Sequence, residues 1–237
     1  MARSARGTGS AVDARRRPGG YDAVVVDTEG VLTRSTPPSV ARYVAADAFA
    51  TVGVDDPEPS DLDALVDPDA ESVVAVADRY GVDPETFWRR RDERAVLARE
   101  AAIRSGWGDS HEDAVALATL DCPLAVVSDE PEPVVDRTLA GLCLSSLFDA
   151  TVGRATGVDG LRRTKPRPTL LCRALDELGA DRPLLVATSD EDVVAARTVG
   201  IDAVRLERAT GRWTGNDEPT GIRSLRALAL LVGDGDA

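Results

Sequence analysis

The chain has 237 residues, 43% of them hydrophobic, enough for one α/β domain of ordinary size with a smaller insertion. Its 41 acidic and 28 basic residues leave a net charge of −13 spread along the whole length; such a surface repels nucleic acid and anionic membranes, both of which need a cationic face. No apolar run reaches the roughly 18 residues of a membrane span and no export signal is legible, so a cytoplasmic protein is expected, with an acidic excess like that of salt-loving microbes.

Residues 1–20 are rich in Arg, Gly and Ser without apolar period and read as a disordered leader. Residues 21–26 (YDAVVV) form a continuous apolar run that suits a parallel strand covered on both faces, and it ends in Asp27. Thr28, Glu29 and Gly30 make the turn behind it. From 37 to about 107 the pattern is helical, with segments at 39–52, 70–80 and 84–104 punctuated by Gly53, Pro57, Pro59, Pro68, Gly81 and Gly106. Strand–helix alternation then returns: strand 123–128, helix 132–142, helix 168–179, strand 183–187, helix 191–200 and strand 203–206, with 219–231 a further apolar segment. This order implies right-handed crossovers and a Rossmann-like, doubly wound parallel sheet. Its core is expected to be discontinuous, over 21–36 and 112–231, with a helical cap at 37–111 inserted and a tail at 232–237.

In an open parallel sheet, ligands bind beyond the carboxyl ends of the strands. Those ends carry Asp27 to Gly30, then Ser128 and Asp129, then Thr188, Ser189, Asp190, Glu191 and Asp192. Lys165, the only lysine of the chain, stands in a loop (TKPRP, 164–168) before a helix. Lysine is a compact point charge and arginine a planar fork, so one lysine kept among arginines is either a position where they do not interchange or a surface lysine that survived by chance, and composition alone does not separate the two. Each acid also has a plain structural use: Asp27 suits an Asx turn, and Asp190 or Asp192 suits a helix cap. Cys122, Cys143 and Cys172 share no metal-ligand spacing and are expected as buried thiols, and His111 is the only histidine.

Taken together, VVVDTEGVL (24–32), LAVVSDEP (124–131), TKPRP (164–168) and LLVATSDEDVVAARTVGI (184–201) resemble, in order and spacing, the four motifs of haloacid-dehalogenase (HAD) superfamily hydrolases. Within that family the cap position is most similar to phosphoglycolate-phosphatase-like members. The resemblance implies Asp27 as nucleophile forming an aspartyl-phosphate, and Glu29 as the acid that protonates the leaving group and then activates water. It implies Ser128 as a donor to a phosphoryl oxygen and Lys165 as the neutralising cation. It also implies Mg²⁺ held by Asp27 and the Glu29 carbonyl, with Asp192 or Asp190 supplying a further ligand, and a small phosphorylated metabolite as substrate.

Two positions depart from the family pattern. Glu29 stands where an aspartate is usual, adding roughly 1.5 Å of reach. Thr188 stands where the family's Gly-Asp-Ser carries a metal-binding aspartate, so metal affinity is expected to fall. Three readings follow: a Mg²⁺-dependent phosphatase, a retired hydrolase that binds a phosphorylated ligand or a protein partner, and a metal-independent dehalogenase. The last has an aromatic residue, not an acid, at the position of Glu29.

Overall fold

A computed structural model describes residues 20–106, 110–208 and 221–232. Residues 1–19 of the expected leader, 107–109 of the expected cap, 209–220 of the expected core and all of the expected tail but its first residue lie outside the described residues. Six strands form one all-parallel sheet in the order β3-β2-β1-β4-β5-β6. These are β1 (Ala23–Val26), β2 (Leu124–Pro131), β3 (Ala150–Arg154), β4 (Pro183–Ala187), β5 (Asp202–Leu206) and β6 (Gly221–Ile222). The chain runs outward from β1 through β2 to β3, then returns to β4 on the other side of β1. The order therefore reverses beside β1, and the carboxyl ends of β1, β2 and β4 meet at that switch point.

Alternation along the strands explains why both faces are covered. Val24, Val26, Leu124, Val126, Leu184 and Val186 pack on one face with Val135 and Leu139 of α5 (Glu132–Gly141) and with Leu225 and Leu228. Val25, Ala125, Val127 and Leu185 face the other way. They meet Leu170, Leu171 and Ala174 of α7 (Thr169–Leu178) and Ala195 and Ala196 of α8 (Asp190–Val199). Residues buried on both sides of a sheet give the unbroken apolar runs that the sequence carries.

Between β1 and β2 lie α1 (Pro38–Thr51), α2 (Pro59–Ala64), α3 (Ala70–Arg79) and α4 (Pro84–Arg104). Asp69 and Asp83 cap α3 and α4, each accepting a hydrogen bond from the backbone N–H three residues on. The four helices enclose their own core, built around Phe49, Leu65, Val73, Phe87 and Trp88, and Val158 of the short α6 (Val158–Leu161) joins it. The chain is thus a doubly wound α/β core with an inserted helical cap. No helix among the described residues is long and apolar enough to cross a membrane.

Some elements depart from expectation. β2 continues three residues past Ser128, and α2, β3 and α6 fall where no element was expected. The apolar segment near the C-terminus is split between β6 and a 3₁₀ turn, Leu225–Leu230. The thiols are a correction: Cys143 and Cys172 are exposed and Cys122 is half-buried. Cys143 follows the end of α5 at φ 58°, and Cys172 lies on the outer face of α7.

Candidate active site

Asp27 leaves β1 at the switch point, and the turn after it is tightly tied. Leu32 and Thr33 donate backbone hydrogen bonds to the Thr28 carbonyl, both at 2.9 Å, and Gly30 donates to Thr33 at 2.7 Å. Gly30 has φ +77°, and a Cβ there would stand 3.1 Å from the Thr188 hydroxyl, so the turn and the end of β4 approach closely only because the residue is glycine. Arg208 clamps the same turn, donating to the carbonyls of Gly30 (3.1 Å) and Val31 (2.8 Å).

Lys165 is the hub of the charged cluster. Its ammonium is ion-paired with Asp27 Oδ2, lies 2.8 Å from Asp192 Oδ1, and lies 3.9 Å from Asp129 Oδ2. Its side chain is 7% exposed. The other oxygen of Asp27 accepts the Thr28 N–H at 2.6 Å. Burial opposes the charge on Lys165, but the three carboxylates outweigh it and raise its pKa. Burial and the charge of Asp192 push Asp27 up, with Lys165 pulling the other way. Asp192 is also buried, but Lys165 and the Ser189 and Thr188 donors win and hold it low. Burial pushes Asp129 up to about 6.

Asp192 serves two purposes. With Ser189 it forms the capping box that starts α8: Ser189 Oγ accepts from Asp192 N (3.1 Å), and Asp192 Oδ2 accepts from Ser189 N (3.1 Å). Its other oxygen faces Lys165. Asp190, offered by the sequence as a metal ligand, is turned away: its carboxylate pairs with Arg205 and is 72% exposed. The first residue of a helix points outward from the cap that the third residue completes, and this separates the two acids.

Ser128 is buried at the end of the apolar part of β2, with its hydroxyl 2.6 Å from that of Thr28 and accepting from Glu130 N at 3.2 Å. Glu29 does not face Asp27's ion pair. Its carboxylate accepts from the Thr36 N–H (3.0 Å) and hydroxyl, and lies 3.5 Å from Arg99 Nη2. Arg99 comes from α4 and also reaches Glu130 Oε1 at 2.5 Å and the Thr36 hydroxyl at 3.3 Å. Glu130 in turn accepts from the Thr28 hydroxyl (3.2 Å), and burial pushes its pKa up against the pull of Arg99. The cluster thus unites Asp27, Thr28, Ser128, Asp129, Lys165 and Asp192, with Glu29, Glu130 and Arg99 in a second group joined to it through Thr28.

Sequence reasoning missed Arg99, Glu130 and Thr28. A signal existed for Arg99: Trp88, Asp92 and Arg99 recur at helical spacing, which puts two charges on the buried face of α4. Arg34 and Arg167 are exposed, while Trp88 is buried in the cap with the Arg91 guanidinium 4.8 Å above its ring.

The donors present fit Mg²⁺ poorly. Among the described residues, no group of three or more His, Cys, Asp or Glu side chains is arranged to hold a metal. Both oxygens of Asp27 and Asp192 already have partners. Thr188 offers only a neutral hydroxyl, 3.5 Å from the Glu29 carbonyl, where a carboxylate was expected in relatives. Magnesium dehydrates reluctantly and is normally drawn in by one or two free carboxylates.

No protein-family model matches the chain. A phosphoglycolate phosphatase of Colwellia psychrerythraea is 28% identical over 102 residues, 42% of this chain and 43% of the relative. A phosphoglycolate phosphatase of Pectobacterium atrosepticum is 35% identical over 97 residues, 40% of each chain. The chain therefore spans about two-fifths of the length of the curated relatives it matches. Among solved structures, a HAD-superfamily hydrolase of subfamily IA from Geobacter sulfurreducens is similar at TM-score 0.58 and 20% identity, over 94% of this chain and 100% of that one.

Proposed function

We propose that this chain, which shares the fold of a haloacid-dehalogenase-superfamily hydrolase and over about two-fifths of its length is similar to phosphoglycolate phosphatases, hydrolyses a small phosphorylated metabolite at Asp27. The observation that carries the reading is the Asp27–Lys165–Asp192 triad at the switch point of the sheet. Residues 37–111 act as the cap over a core formed by 21–36 and 112–231. Asp27 Oδ attacks phosphorus and the ester P–O bond breaks, leaving an aspartyl-phosphate and dividing one displacement into two. Glu29 gives its proton to the departing oxygen, then takes one from the water that releases inorganic phosphate. Lys165 holds charge opposite the phosphoryl oxygens, and the Thr28–Ser128 hydroxyl pair donates to one of them. Mg²⁺, which the family resemblance implies, is expected to bind weakly, and no step above is routed through it.

A second reading is favoured by the hold of Thr36 and Arg99 on Glu29 and by Thr188: a retired hydrolase that still binds a phosphorylated ligand or a protein partner. One experiment separates the two. With Mg²⁺ in multimolar KCl, the wild type is expected to hydrolyse 4-nitrophenyl phosphate, and Asp27→Asn is expected to lose at least about a thousandfold, as removal of a covalent nucleophile does. Glu29→Asp with Thr188→Asp is expected to raise the rate and to tighten Mg²⁺ binding by at least about tenfold, the second read by calorimetry. A silent wild type with an active double variant identifies the retired enzyme. Silence in both leaves only a binding protein, and chloride release from 2-chloropropionate without metal marks a dehalogenase.

A further inference from the structure

The buried hydroxyls of Thr28 and Ser128 carry fewer protons than there are acceptors around them. Among the described residues, Thr28 Oγ1 meets Ser128 Oγ at 2.6 Å, Glu130 Oε2 at 3.2 Å and Asp27 Oδ1 at 3.4 Å. Ser128 Oγ already accepts from Glu130 N at 3.2 Å. A hydroxyl carries one proton, and an ionised carboxylate only accepts. The two hydroxyl protons must therefore serve the bond between the hydroxyls, both carboxylates and any phosphoryl oxygen that enters.

The count allows two arrangements. In the first, Thr28 donates to a carboxylate and Ser128 uses its own proton on Thr28. Ser128 then has none to offer a ligand. In the second, Thr28 donates to Ser128, and Ser128 donates to the phosphoryl oxygen as in the reaction proposed above. The Thr28 oxygen is then left facing two carboxylate oxygens with no proton between them, which is unfavourable in a buried site. A proton on one carboxylate removes the conflict. Asp27 is the nucleophile and has to stay ionised, so the proton belongs on Glu130.

We propose that Glu130 is a positioning residue: it takes a proton from solvent when a tetrahedral oxyanion binds, and donates it to Thr28, which donates to Ser128 and so to the anion. This rests on the phosphatase reading and says how its phosphoryl donor is aimed. The surroundings of Glu130 suit the change. Arg99 holds Oε1 and leaves Oε2 to Thr28. Glu29 lies 3.5 Å from the same guanidinium nitrogen, so two acids share one cation. Burial is the largest influence on Glu130 and favours the proton, Arg99 opposes it, and Glu29 and Asp27 favour it. Arg91, on the same helix as Arg99, also feels the charge of Glu130.

The test uses sulfate, a tetrahedral dianion whose charge is fixed near neutral pH, and calorimetry of the full chain in buffers of different ionisation heat. Comparing the buffers counts the protons taken up on binding. Uptake is expected in the wild type at pH 7.5, and is expected to fall by roughly half a proton or more in Glu130→Gln. The glutamine amide donates to Thr28 without added proton, while its oxygen still accepts from Arg99. Wild-type affinity falls as pH rises, because binding takes up a proton. Glu130→Gln is therefore expected to bind sulfate about tenfold more tightly at pH 7.5, with the gap closing toward pH 5.5. Thr28→Val cuts the chain at its middle and is expected to lose the uptake as well. Equal uptake in the wild type and Glu130→Gln overturns the proposal and assigns the proton to Asp129. Binding without uptake in the wild type, or no binding of sulfate, overturns it too. Turnover of 4-nitrophenyl phosphate judges the phosphatase reading separately. Uptake without turnover sinks the hydrolase and leaves the donor chain standing, whereas turnover without uptake removes the chain alone.

Discussion

At Asp129, burial and the charges of Asp27 and Asp192 push the carboxyl up to about 6, against the pull of Lys165. The ordinary value is 3.8, so between about pH 4 and pH 6 the folded chain holds a proton that the unfolded chain has released. Stability contributed by this group is therefore lost as pH rises through that window. Asp129→Asn is expected to be more stable than the wild type at pH 7 and no more stable at pH 4, as measured by urea unfolding at both. An equal shift at the two values would mean that Asp129's charge is not the cause. Asp27 and Glu130, also raised, act in the same direction, so the wild type's own profile is steeper than Asp129 alone accounts for. The residue-scale chemistry was partly legible: Lys165 stood out as the only lysine, and Asp27 as the acid closing an apolar strand. Arg99 and Glu130 did not, because a charged residue in an arginine-rich helix or beyond a strand end looks solvated until the fold brings the two together.

Helix α4 is fixed to the core by a second group of buried charges. Arg154, at the end of β3, donates to both oxygens of Asp92 on α4, at 2.6 and 2.8 Å, and the pair is almost wholly buried. Asp92 also accepts from Gly157 N at 2.9 Å, and Glu85 accepts from Val158 N at 2.8 Å. A side chain at Gly157 would run into Glu85, its Cβ falling 2.0 Å from Oε1, so the backbone itself is part of the joint. Removing one partner of such a pair leaves a buried, uncompensated charge. Asp92→Ala is accordingly expected to cost about 3–5 kcal/mol in urea unfolding. Arg162→Ala, which breaks only exposed pairs with Glu71 and Asp159, is expected to cost less than about 1 kcal/mol. Comparable losses in the two would show that the buried pair does not carry the joint. The same pair explains an element that sequence reading passed over. β3 is only five residues, ATVGR, and ends in an arginine that looks like a surface residue, so neither apolar alternation nor length announces a strand. β1, β4 and α4 were plain because continuous apolar runs and Pro or Asp starts bracket them.

Over the whole molecule the net charge of −13 is not neutralised locally, since many of the surface arginines are already paired, as Arg89 is with Glu85 and Arg173 with Glu132 and Glu177. The excess carboxylates repel one another across the folded surface more strongly than across the expanded unfolded chain. Screening lengths fall from about 10 Å at 0.1 M salt to about 3 Å at 1 M, so most of that repulsion disappears within this range. KCl is therefore expected to raise the melting temperature steeply up to about 1 M and only slightly beyond it. Sucrose, which stabilises by exclusion from the surface and screens nothing, is expected to give a shallow rise without a break. A KCl curve that climbs steadily to several molar with no bend would assign the stabilisation to exclusion of salt from the surface, and the acidic excess would then contribute little to it. The distinction bears on the site as well. Asp27, Asp129 and Asp192 stand around one lysine, and a phosphorylated anion must approach them through the field of the whole surface. Salt that relieves that field is expected to lower KM for 4-nitrophenyl phosphate over the same interval in which it raises stability, and a KM that rises throughout would place the dominant interaction with Lys165 instead.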